Sequence, residues 1–389
     1  MYDFINFTQG TNFYLNLYCL LLYCFLLLIS LKGNVVGINT QDSYKGRTIL
    51  LSCGLLLFAL TSFIGDDFFH YHDNMVAYKN QTFADQEAGL EAFYQRLIYY
   101  IDGDYFLFRL IVWGGSLALI ILAARKFGAS IYRTLFVILA GFIVTYSYAR
   151  ATLAMSVFSM GVVMICVAVE NRRKFLPIVI ASIVIACSTF FHRSMYPMLA
   201  IALLWLLLPR KRVLSKYSLW LFPVVVFIFS IVLKAAFEDM LVIANAVEDE
   251  TGTLDKVEIY SEQERVDSNA MGFVRLTLQY LIFYLPMLFI SNSLRSDKVL
   301  QNIDNKMIWL YQMTFIIFAF ATSFLLLDID SSVLFYRYLY MAFIPLSILI
   351  AYMKDVGALK AKQYLWIVAI FVAGNIFQML ADVYAKSKV

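Results

Sequence analysis

Ile49-Leu50-Leu51-Ser52-Cys53-Gly54-Leu55-Leu56-Leu57-Phe58-Ala59-Leu60-Thr61-Ser62-Phe63-Ile64 is an uncharged run long enough to form most of a membrane span. It leads directly into Gly65-Asp66-Asp67-Phe68-Phe69-His70-Tyr71-His72-Asp73-Asn74-Met75-Val76-Ala77, which holds three carboxylates and two of the chain's three histidines. A charge at the centre of a membrane helix costs roughly 2.5–3.5 kcal/mol on insertion scales and much less at its end. The polar stretch is therefore expected where a helix leaves the bilayer. Two aspartates could simply terminate a span among solvated headgroups, but the density of ionisable and aromatic residues points to a site.

The rest of the chain supports the membrane reading. It has 389 residues, 62% hydrophobic and 15% charged, and a soluble domain does not keep that balance while repeating runs of about 20 apolar residues. Hydropathy predicts spans near 14–31, 48–64, 105–124, 131–148, 151–169, 175–190, 194–208, 217–235, 271–290, 307–327, 332–353 and 363–383, roughly 12 helices. The first lacks a preceding basic region and a following cleavage site, so it is expected to stay as a helix. The five cysteines lie inside these spans without metal-ligand partners, as packing residues would. The fold class is thus an all-α polytopic membrane protein, 1–389, in a single integral membrane domain.

Charge sets the orientation. Lys32, Lys45 and Arg47; Arg125, Lys126 and Arg133; Arg172, Arg173 and Lys174; Arg210, Lys211, Arg212 and Lys216; Arg295, Lys298 and Lys306; and Lys354, Lys360 and Lys362 fall in alternate loops, which the positive-inside rule makes cytoplasmic. Nearly all acids fall on the other side, many in the long loop 236–270. Both termini then come out external, a placement that Lys386 and Lys388 fit poorly. Within the external segment 66–104, Leu90, Phe93, Tyr94, Leu97, Ile98 and Ile101 recur at helical spacing opposite Glu87, Glu91 and Gln95. This predicts an amphipathic interfacial helix over 84–101, its glutamates either solvated or turned to a cavity.

Orientation does not explain a second set of basic residues at helix ends expected to face outward: Arg96, Arg109, Arg150, Arg193, Arg275 and Arg337. Three have aromatic company, in Tyr146-Ser147-Tyr148-Ala149-Arg150, Phe190-Phe191-His192-Arg193-Ser194-Met195-Tyr196 and Phe335-Tyr336-Arg337-Tyr338-Leu339-Tyr340. A guanidinium offers a planar fork of donors to phosphate oxygens, and tyrosines suit sugar rings. Together they describe a pocket for a phosphorylated glycan, against the plainer alternative of snorkelling to headgroups. His192, beside Arg193 at a tight turn, can accept a proton near neutrality or merely cap a helix. Asp-x-Asp occurs at Asp102-Gly103-Asp104 and Asp328-Ile329-Asp330, a pattern short enough to arise by chance, and arginines can neutralise a diphosphate without metal. No metal and no cofactor is expected.

These residues resemble the EpsG-like branch of the Wzy-type bacterial polysaccharide polymerases. Gly65, Asp67, Phe68 and Tyr71 look like its Gly-x-Asp-aromatic-x-x-Tyr motif, and Leu90-Glu91 with Phe93-Tyr94 and Leu97-Ile98 resembles its next segment. Arg150 with Ala154 sits at its Arg-Gln-x-x-Ala, with Ala151 in place of the glutamine. His192-x-Ser194 looks like its His-x-Ser turn, and Arg337 with Tyr340 matches its late arginine. The resemblance implies a GT-C-like glycosyltransferase at the outer face of the bacterial inner membrane, facing the periplasm or cell exterior. Its substrate would be a polyprenyl-diphosphate-linked oligosaccharide, the growing glycan moving to a lipid-linked repeat unit. Its expected partners are a flippase and a chain-length regulator, and not nucleic acid.

On that reading His192 or its rival Asp67 is the catalytic base. Arg150, Arg193 and Arg337 bind the diphosphate, and Asp66, Tyr71, Glu91, Tyr148, Tyr196, Tyr336 and Tyr340 position sugars. A transferase moving one sugar from a polyprenyl phosphate would use the same chemistry. A glycolipid flippase or exporter should instead line a mid-membrane path with charge and repeat its halves, and a membrane O-acyltransferase would use His192 but leave the arginines unexplained.

Overall fold

The computed structural model of the chain describes residues 9–35, 41–61, 72, 75, 78, 91–141, 149–170, 175–207, 221–236, 270–295, 304–326 and 332–387. Among these residues all regular structure is helical. In chain order the helices are α1 (Gln9–Val35), α2 (Gln41–Thr61), α3 (Ala92–Tyr100), α4 (Tyr105–Phe127), α5 (Ile131–Gly141), α6 (Ala149–Glu170), α7 (Phe175–Cys187), α8 (Tyr196–Leu207), α9 (Leu221–Ala236), α10 (Ala270–Leu294), α11 (Asn305–Ser323), α12 (Ser332–Met341), α13 (Phe343–Asp355) and α14 (Ala361–Ser387). Every stretch predicted from hydropathy holds a helix. Five helices among the described residues are long and apolar enough to cross a membrane: Tyr105–Phe127, Arg150–Glu170, Thr277–Leu294, Asn305–Leu326 and Phe335–Asp355. Others, such as Ile131–Gly141 and Phe175–Phe191, are shorter apolar helices. The chain is a multi-pass membrane protein.

Local chemistry sets the helix boundaries. The expected amphipathic helix over 84–101 is observed as α3 over Ala92–Tyr100, with Tyr94 and Ile98 buried; residues 84–90 lie outside the described set. It runs into α4 through Asp102-Gly103-Asp104. Asp102 and Gly103 take positive φ of 51° and 63°, a conformation that glycine and aspartate tolerate better than most residues. Asp104 caps α4 by accepting the Leu107 N–H at 2.9 Å. This Asp-x-Asp is thus explained by a chain reversal and a helix cap; Asp328 and Asp330 lie outside the described residues. The predicted span 332–353 corresponds to Phe335–Asp355, interrupted at Ala342 between α12 and α13. Pro345 has no N–H for the Met341 carbonyl, and at the join the Ala342 N–H donates three residues back, to the Leu339 carbonyl at 3.2 Å.

The helices group into two compact units, one of residues 1–196 with 344–389 and one of residues 197–343. In the first, α6 packs against both α4 and α7, while α1 packs on α2 and α14, and α5 on α2 and α14. A Cβ at Gly161 on α6 would meet Cγ1 of Ile185 at 2.5 Å and the Ala181 carbonyl oxygen at 3.0 Å, so the missing side chain is what lets α7 lie this close. Tyr23 Oη donates to the Ala140 carbonyl at 3.0 Å, and the Asn375 amide donates to the same oxygen. Arg109, near the start of α4, is used inside the protein. It is buried, with its guanidinium on the Ala59 carbonyl and against the Tyr105 ring, and so ties α4 to α2.

In the second unit α11 is buried along nearly its whole length. Trp309 packs edge-on to Trp205, whose indole N–H donates to the Trp309 carbonyl at 3.1 Å. Phe318 stacks on Phe222, Tyr280 and Phe283. Aromatic rings supply large apolar contact areas, which here hold α9, α10 and α11 together.

Candidate functional site

The α6–α7 hairpin brings residues far apart in the chain to one end. Arg150 stands in the first turn of α6, where the helix dipole disfavours a cation unless an anion compensates. His192 stands beyond the other arm of the hairpin, at the N-cap of the turn Arg193–Met195 that leads into α8. Glu91, which directly precedes α3, supplies the anion. Its side chain makes no cap bond to its own helix and reaches across to both arms.

That carboxylate is 7% exposed and bridges three segments. Oε2 lies 2.7 Å from Arg150 Nη1, and Oε1 accepts the Arg193 backbone N–H at 3.2 Å and lies 3.4 Å from His192 Nδ1. The same Nδ1 lies 3.4 Å from the Ser194 backbone N–H. Tyr94 Oη donates to the Arg150 carbonyl at 3.2 Å, and the Arg150 guanidinium lies over the Tyr94 ring at 5.9 Å. Phe93 packs edge-on to Phe191 at 4.6 Å, fixing α3 to the turn. Ser194 Oγ is buried without a hydrogen-bond partner among the described residues.

Beside the cluster opens a groove of about 660 Å³ lined by Phe93, Arg96, Tyr100, Phe190, Arg193 and Tyr196 among others. Tyr100, Phe190 and Tyr196 are 81%, 69% and 60% exposed, a large unburied aromatic surface. The Arg96 and Arg193 guanidiniums carry no carboxylate partner among the described residues. Since Arg150 offsets Glu91, the groove keeps a net positive face. Such a face can hold an anion between two forks while rings stack on an apolar or sugar surface.

Of the residues singled out from sequence, Glu91, Arg150, His192, Arg193 and Tyr196 come together here. Asp66, Asp67, Tyr71 and Tyr148 lie outside the described residues. Tyr336, Arg337 and Tyr340 are on α12 in the second unit, where Tyr340 is buried and bonded to Gln279 Oε1 at 3.2 Å. His72 packs its ring against Tyr105. Sequence reasoning left Arg96, Phe93 and Tyr100 without a role in the site. Their spacing with Leu97 is that of one helical face, and that signal could have found them.

The described residues thus give a helical membrane protein with a carboxylate-centred cation and histidine cluster beside a basic aromatic groove. The sequence matches the EpsG family over residues 47–386, and the chain belongs to that family, one of Wzy-type polysaccharide polymerases. No curated protein and no solved structure matches it significantly.

Proposed function

We propose that this protein is a polysaccharide polymerase of the outer face of the bacterial inner membrane. It would transfer a growing glycan from its polyprenyl diphosphate to a lipid-linked repeat unit. The observation that carries the reading is the groove lined by Arg96, Arg193 and the rings of Phe93, Tyr100, Phe190 and Tyr196, with His192 next to Arg193 in the chain. The acceptor hydroxyl oxygen attacks the anomeric carbon, the bond from that carbon to the diphosphate oxygen breaks, and the hydroxyl proton passes to His192. Arginines stabilise the charge that develops on the departing diphosphate, and exposed aromatics hold sugar rings or isoprenoid. Asp67 remains the rival base and Asp66, Tyr71 and Tyr148 remain sugar contacts, with roughly 12 spans in a GT-C-like arrangement.

The test is purified protein incubated with a synthetic lipid-linked repeat unit, the products resolved on a gel. A ladder of lengths is expected, lost in His192→Gln with substrate binding retained. A single added unit would make the protein a single-sugar transferase instead. Substrate carried across the bilayer of a vesicle without any new glycosidic bond would make it a flippase.

A further inference from the structure

We propose that Glu91 is a positioning residue that fixes the tautomer of His192, holding the proton on Nδ1 so that Nε2 is the basic nitrogen. This rests on His192 as the base of the reaction proposed above. The sequence reading put Glu91 among sugar contacts, but its carboxylate is occupied by Arg150, the Arg193 N–H and His192 Nδ1.

Nδ1 lies within 3.4 Å of both a donor, the Ser194 N–H, and an acceptor, Glu91 Oε1. Unprotonated, it accepts the Ser194 N–H, and the imidazole proton then sits on Nε2, which is useless for taking a proton. Protonated, it donates to Glu91 Oε1 at the same 3.4 Å. A carboxylate at this distance favours the protonated Nδ1 and the imidazolium that forms when Nε2 accepts the acceptor hydroxyl's proton. The charged groups facing His192 include Glu91 from the start of α3, Arg150 from α6 and, on its own segment, Arg193. Arg150 opposes the field of Glu91 while holding the carboxylate in place. Removing either charge therefore has opposite effects on the imidazole: without Glu91 the imidazolium is less stable, and without the Arg150 charge it is more stable.

The experiment is ¹⁵N NMR of histidine-labelled full-length protein in nanodiscs, the His192 signal being the one that disappears in His192→Gln. In the wild type the neutral ring is expected to carry its proton on Nδ1. Glu91→Gln should move the His192 titration to lower pH by about one unit or more, and Arg150→Gln should move it to higher pH. The acid limb of the initial polymerisation rate should follow the Glu91→Gln shift. A neutral wild-type ring protonated on Nε2, which needs no variant to observe, overturns the proposal. So does a titration that Glu91→Gln leaves unmoved, as mere capping of the Arg193 N–H would predict. Shifts of the expected sign in a protein that makes no polymer would leave the Glu91–His192 coupling standing and remove the polymerase reading. Polymer formed by Glu91→Gln with an unmoved acid limb would do the reverse.

Discussion

Arg150 Nη1 lies 2.7 Å from Glu91 Oε2, although 59 residues separate the two in the chain. The side chains are only 17% and 8% exposed, so each charge depends on the other for what water would otherwise supply. Removing one partner of a buried pair costs about 3 kcal/mol or more because it strands the other. Glu91→Gln and Arg150→Gln should each lower thermal stability in detergent, and the double variant should fall well short of the summed losses. The double-mutant cycle checks this, with a coupling of about 1–3 kcal/mol expected. Additive losses would mean the pair is not formed.

The same pair depends on the hairpin that carries it. A Cβ at Gly161 would meet the Ile185 side chain at 2.5 Å and the backbone of Ala181 and Ile185 at 3.0 Å. Only the first of these neighbours can move by rotating a side chain. Gly161→Ala should cost about 1–3 kcal/mol, the usual range for overpacking, and should weaken polymerisation by separating Arg150 from His192. Gly161→Ala with Ile185→Ala should recover part of the stability and not all of it, since the backbone contacts remain. Melting temperatures of the three variants check it, and an unchanged Gly161→Ala would show that α6 and α7 are looser than described.

How much of this was legible in the sequence follows from which forces leave a periodic trace. Apolar runs of membrane length did, and each predicted stretch holds a helix, because burial in lipid needs only composition and length. The Glu91-Arg150-His192 cluster left a partial trace: the residue types stood out as costly and isolated, but their roles did not. Glu91 read as a sugar contact because nothing local says that its carboxylate reaches 59 and 101 positions along the chain to Arg150 and His192. Arg109 stood alone in the sequence for the same reason, since its partner is the Ala59 carbonyl, which carries no sequence signature. The break at Ala342 was readable from Pro345, whose missing N–H acts on the residue four before it.

Arg96 and Arg193 are expected to carry the phosphate contacts, because their guanidiniums face the groove without a carboxylate partner among the described residues. Arg96→Gln and Arg193→Gln should each lower kcat/KM for the lipid-linked unit at least about tenfold, equivalent to roughly 1.4 kcal/mol. Lysine at either position should recover only part, because it keeps the charge and loses the planar fork. Arg125→Gln, in the last turn of α4, is the matched control and should be nearly silent. Wild-type kinetics in both glutamine variants would return these two arginines to snorkelling at headgroups.

The last prediction concerns the side of the membrane on which the site lies. Helix α4 begins at the turn that leaves α3, with Phe108 in its first turns packed on Tyr94 at 5.9 Å, and runs 23 residues to Arg125, Lys126 and Phe127, a rise of about 34 Å, enough to cross the hydrocarbon core. Its basic end is followed by the turn into α5, where Arg133 pairs with Asp355 and the Ser130 N–H donates to Asp355 at 2.6 Å. Residues near 125–133 and near 354–355, assigned to one side by their positive charge, therefore meet at the end of α4 remote from the site. If that end is cytoplasmic, as loop charge directs, Glu91 and His192 face outward. The check is labelling of intact cells with a membrane-impermeant maleimide in a background without native cysteines. Phe190→Cys, on an exposed position of the groove, should be labelled from outside. Arg125→Cys should be labelled only after the cells are permeabilised. Labelling of Arg125→Cys in intact cells with protection of Phe190→Cys would invert the protein and put the groove on the cytoplasmic side, where a polymerase taking outward-facing lipid-linked units has no substrate.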